Sequence, residues 1–186
     1  MTYASFLRFT GWCAIISGIL TVSLAIWYNT SMEAFGSYVD LISMLFLALG
    51  LVGLYLRQAK EFGIFGFIIF LLVFFGSIMW AGHGWTVSFL VPSIEDSAPA
   101  ILDDPSDLLN TGVALSLYPF FIGVLLFGLW TAIKGVLPRT PAILLVIVPI
   151  LDFFPFGSYV AQPLAGIAIL WLGYSLLKGA SQEETN

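Results

Sequence analysis

FGIFGFIIFLLVFFGSIMWAGHGWTVSFLV, residues 62–91, runs for thirty positions without an Asp, Glu, Lys or Arg, and its reading decides the fold. A helix of that length extends about 45 Å, whereas the hydrocarbon core of a bilayer is about 30 Å thick. The run must tilt, break near Gly82-His83-Gly84, or project beyond the membrane. His83 is the single histidine of the chain, set between two glycines and flanked by Trp80 and Trp85.

The rest of the sequence has the same character. Sixty per cent of its 186 residues are apolar and 9% are charged, which places it in the membrane class. No polar stretch is long enough for a soluble domain, so residues 1–186 are read as one membrane domain. Hydrophobic segments are expected at about 9–28, 38–56, 62–91, 111–133, 141–152 and 159–177. The fold class is an all-α integral membrane protein, an up-down bundle of six hydrophobic segments with the fifth short or broken. The run after Arg8 is too long for a signal-peptide core, so the first helix is expected to be retained. The single cysteine, Cys13, excludes an internal disulfide and lies in an apolar run.

The placement of charge says more than its net value of −5. Arg8, Arg57, Lys60, Lys134, Arg139 and Lys178 are all the basic residues, and each lies at one end of a hydrophobic run. Assigning those ends to the cytoplasm satisfies the positive-inside rule throughout and puts both termini there. The outer segments are then 29–37, an acidic loop 93–110, and a turn at 153–158. Within the acidic loop, Asp104-Pro105-Ser106-Asp107 has the pattern of a helix start, with Asp104 as N-cap and proline at the first helical position. A basic surface of the kind that binds nucleic acid is missing.

Few residues could carry chemistry. Counted at about 1.5 Å per residue from Pro141, Asp152 lies roughly 16 Å along its segment, near the middle of the hydrocarbon layer. An acid at that depth costs about 2.5–3.5 kcal/mol to insert and marks a functional position or a wet outer vestibule. By the same count His83 lies about 31 Å from Phe62, at the outer interface, with Trp80 and Trp85 as belt residues. Asp40 reads as an acid at the start of the second helix, favoured by the helix dipole. Gly63 with Gly66, Ala14 with Gly18, and Ala161 with Ala165 read as small-residue positions for close helix packing.

There is no Walker loop, nucleophile elbow, HExxH or cysteine pair. One histidine rules out a bis-histidine haem. No catalytic residue and no metal ligand set is expected, and the sequence specifies no cofactor.

Leu49-Gly50-Leu51 through Tyr55-Leu56-Arg57, Phe62 through Phe67, Leu137-Pro138-Arg139 and Trp171 through Leu177 lie at the basic ends of five of the six segments. In these patches the chain resembles small bacterial polytopic membrane proteins of the domain-of-unknown-function type. The resemblance implies a multi-pass protein of a prokaryotic inner membrane and carries no activity with it.

The expected partners are the lipid bilayer and either a lipid-like ligand or another membrane protein. In the leading reading the protein is not an enzyme and binds an amphipathic ligand from the outer leaflet. Asp152 and His83 would orient that ligand, with Asp40, Trp80, Trp85, Phe153, Phe154 and Phe156 nearby. The alternatives are an accessory subunit of a larger membrane complex and a proton- or cation-coupled transporter using Asp152.

Overall fold

A computed structural model describes residues 2–27, 30, 33–103, 105–152, 154 and 157–183. The helices are α1 (Tyr3–Trp27), α2 (Glu33–Trp85), α3 (Val91–Ser97), α4 (Ala100–Asp103), α5 (Asp107–Lys134), α6 (Arg139–Leu151) and α7 (Gly157–Glu183), and no strand occurs among the described residues. Four helical stretches are long and apolar enough to cross a membrane: Tyr3–Trp27, Phe35–Ser97, Asp107–Lys134 and Tyr159–Ser181. At thirteen residues α6 is short, as its sequence suggests.

The second and third hydrophobic segments are not separated by a loop. The charged stretch 57–61 stays helical, and the chain reverses at Gly63, whose φ of 62° and ψ of −164° suit glycine alone. A Cβ at Gly63 would meet nothing within 4 Å, so its glycine serves the turn and not helix packing. The two limbs of α2 then run antiparallel. Tyr55 stacks on Phe70 at 4.4 Å, and the Tyr38 hydroxyl donates to the Ser88 carbonyl at 3.3 Å. Of the three alternatives for the 62–91 run, a break at 82–84 does not occur. The helix passes through Gly82, His83 and Gly84, and the irregularity falls one turn later, in a π-helical stretch at Thr86–Leu90. The helix resumes as α3, so part of the expected acidic loop is helical.

A second correction concerns the start of α5. Ser106 is its N-cap, and the side-chain oxygen accepts from the Leu109 amide at 3.3 Å. Asp104, expected in that role, lies outside the described residues.

Small residues set how the helices meet. Gly18 of α1 and Gly166 of α7 face each other so closely that a Cβ on either would lie 2.6 Å from the other's carbonyl oxygen. Ala14, one turn away, fits against Gly50 and Gly173. Across the α1–α2 seam, the buried hydroxyls of Thr21 and Ser43 are 2.8 Å apart, and Ser43 also donates to the Ser17 carbonyl at 3.1 Å. Further round, Gly76 and Gly123 seat the second limb of α2 against α5, and Gly128 seats α5 against α6.

These seams close a ring. Its order is α1, the first limb of α2, the second limb, α5, α6, α7 and back to α1. The residue pairings at the glycine seams are antiparallel, including the closing α7–α1 seam, where Gly11 meets Gly173 and Gly18 meets Gly166. Six antiparallel segments return the chain to its starting end. The basic residues gather there: Arg57 lies against Gly179, Arg139 against Gly135, and the Lys134 ammonium 4.9 Å from the Trp130 ring. The Glu33 start of α2, α3 and α4 lie at the opposite, acidic end.

Candidate functional site

Within the ring lies a cavity of about 100 Å³, and all six segments contribute to its wall. The wall is mainly apolar. Leu47, Leu51 and Leu54 come from the first limb of α2, Val73 from the second, Phe127 from α5 and Leu172 from α7. From Asp40 to Leu54 the cavity follows one helix for fourteen residues, about 21 Å at the helical rise. Below Leu54, toward the basic end, lies Gln58. Its amide nitrogen donates to the Leu54 carbonyl at 3.1 Å and to the Thr131 hydroxyl at 3.3 Å, while its oxygen, fully buried, has no partner among the described residues.

Toward the acidic end the wall changes character. Asp40, Asp152, Thr21 and Gln162 supply polar groups, and Trp80, Phe120 and Phe121 supply three aromatic rings. Asp40 is two turns inside α2 and not at its start, so the helix dipole does not account for it. Its partner is instead Trp80, whose indole nitrogen donates to Oδ2 at 3.0 Å. Asp152 follows the last residue of α6, with its backbone amide donating to the Val148 carbonyl at 3.1 Å. No hydrogen bond among the described residues reaches its carboxylate. Trp80 lies 5.6 Å from Phe120, stacked, and 5.7 Å from Phe121, edge-on.

Of the residues singled out in the sequence, Asp40, Trp80 and Asp152 share this wall, together with Ala161 and Ala165, which were expected at a helix-packing contact. His83 does not line it. It lies in a separate groove between the second limb of α2 and the start of α5, lined also by Gly82, Ser106, Leu109 and Gly112. A Cβ at Gly82 or Gly112 would meet nothing, so the two helices stand apart there. Trp80 connects the two spaces, its ring 5.6 Å from that of His83 while its other contacts face the cavity. Trp85 is exposed and packs on Phe89, and Phe154 is exposed. Phe153 and Phe156 lie outside the described residues.

Phe120, Phe121, Thr21 and Gln162 belong to the wall and were not singled out in the sequence. The signal for the two phenylalanines was weak but present. They follow Pro119 inside an apolar run, with Gly123 behind them to bring the helix close to its neighbour. Thr21 and Gln162 gave no such signal.

No protein-family model matches the chain, and no curated protein or solved structure is significantly similar to it.

Proposed function

We propose that the protein is a multi-pass membrane protein that takes an amphipathic ligand into the cavity at the centre of its helical ring. The observation that carries this reading is the graded wall: leucines, valine and phenylalanine over most of its length, then two carboxylates, an amide and a hydroxyl at one end. An apolar chamber with a few converging polar groups is the usual form of a small-molecule site. The apolar part of the ligand would lie along Leu47, Leu51 and Leu54, with its polar head toward Asp40 and Asp152.

The same reading puts the basic end, with both termini, in the cytoplasm and the acidic end outside, in a prokaryotic inner membrane. It rests on the collection of the cations at one end of an antiparallel ring. Single cysteines at Lys178 and Ser97, in a Cys13→Ser background, should label from opposite sides of the membrane, Ser97 from outside and Lys178 only once the inner face is exposed; the reverse pattern, or labelling of both from one side, would refute the orientation.

The ligand itself is tested by native mass spectrometry after mild extraction, together with cross-linking by a photoreactive long-chain alkyl probe. Attachment to Leu47, Leu51 or Phe127 is expected, and it should fall when Leu51→Trp fills the chamber. Attachment confined to outward-facing residues such as Ile64 and Ile68 would overturn the proposal.

A further inference from the structure

Among the described residues, the cavity wall carries two acids and no Lys, Arg or His. A carboxylate on an apolar wall is unfavourable unless it is paired or protonated. Asp40 has the Trp80 indole N–H, but Asp152 has no side-chain partner among the described residues. Independently, Trp80, Phe120 and Phe121 place a group of aromatic rings at the same end of the cavity. Ring faces attract cations through their quadrupole, most strongly where water is excluded, and this is how quaternary ammonium groups are held. The hydrogen bond from Trp80 to a carboxylate adds electron density to its indole and strengthens that attraction.

We propose that the ligand of this cavity is an organic cation, an amphipathic amine or quaternary ammonium compound. Its head lies between the Asp152 carboxylate and the Trp80 face, and its tail points down the leucine-lined wall. The proposal rests on the reading that the cavity takes an amphipathic ligand, and adds the sign and class of the head group. The donor set argues against a bare metal ion. Calcium takes six to eight oxygen ligands and magnesium a near-ideal octahedron, whereas this wall offers two carboxylates, one amide and one hydroxyl among aromatic and aliphatic carbons. Fatty acids and anionic lipids would bring a further acidic group to a wall that already carries two and no cation among its described residues. A weakly hydrated organic cation answers both the acids and the rings.

The test uses the full chain in nanodiscs of zwitterionic lipid, with labelled dodecyltrimethylammonium as probe and dodecanol and dodecyl sulfate as competitors. Saturable binding of the cation is expected, with the neutral and anionic chains competing at least about tenfold less well, the size of effect that one charge-assisted contact gives. Asp152→Asn and Trp80→Leu should each weaken binding by about the same factor. Because the comparison among probes is made on the unaltered protein, it stands even if a variant fails to fold. If dodecanol competes as well as the cation, or folded Asp152→Asn binds unchanged, the cationic assignment is overturned and the amphipathic reading survives. If no probe binds saturably to monodisperse protein, both are lost.

Discussion

The indole nitrogen of Trp80 donates to Oδ2 of Asp40 at 3.0 Å, joining the two limbs of α2 across forty residues of sequence. The bond lies inside the hairpin that Gly63 creates and on the wall of the central cavity. It also fixes the ring that separates the cavity from the groove containing His83. One contact thus serves the hairpin, the cavity and its boundary.

Asp40 and Asp152 should therefore respond in opposite ways to truncation. Asp40→Ala removes the acceptor of a partly buried N–H and is expected to cost about 1 kcal/mol. Asp152→Ala removes a carboxylate without a side-chain partner and should be neutral or stabilising. Thermal unfolding in detergent, followed by size-exclusion chromatography, distinguishes them. Equal losses would show that Asp152 is held by structure as firmly as Asp40.

The turn at Gly63 makes a second contrast. Gly63→Ala puts a Cβ on a residue with φ of 62° and should destabilise by about 1–2 kcal/mol. Gly82→Ala, on a regular helix facing open space, should stabilise by about 0.5–1 kcal/mol. The two variants differ from the same parent by the same methyl group, so their melting temperatures should move in opposite directions.

Closure of the ring depends on the α1–α7 seam. Gly18→Leu would drive a branched side chain into the backbone of Gly166 and Leu170, from which even a Cβ lies only 2.6–2.7 Å away. The helices must separate, and the cavity should open along that side. Leu170→Cys in a Cys13→Ser background offers the readout, since Leu170 meets Gly18 across the seam: its thiol should react faster with a small maleimide when Gly18→Leu is added than when Gly18 is kept. Equal protection in both would mean that the seam adjusts without opening.

Below the cavity, Gln58→Leu removes both the buried amide and its unpartnered oxygen. Combined with Thr131→Val, which removes the hydroxyl that meets it, the change should be close to neutral, since replacing both partners by apolar groups leaves nothing unpaired. Thr131→Val alone should cost about 1 kcal/mol, by leaving the amide with a single bond. Chemical denaturation of the three variants gives the coupling between the positions directly. A double variant less stable than the single one would contradict this account.

The sequence by itself determined the helical, apolar character of the chain, because runs of twenty or so uncharged residues leave the backbone no economical alternative to helix when water is absent. It also determined the segregation of its cations, since the basic residues recur at alternate ends of successive segments, and antiparallel packing brings alternate ends together. The shortness of α6 was legible in the spacing from Pro141 to Asp152. Hydropathy did not reveal that Arg57 through Glu61 stay helical and that the reversal waits for Gly63, because a backbone angle leaves no trace in polarity. Nor could it place the side chains around the helices. In a helix that is apolar on every face, no stripe separates inside from outside. Asp40 could therefore be read as the start of a helix, and His83 as a neighbour of Asp152. Only the closing of the ring, through Gly18 against Gly166 and Gly76 against Phe120, decided which residues face the centre. It put Trp80, Asp40 and Asp152 on one wall and left His83 on the other side of the indole.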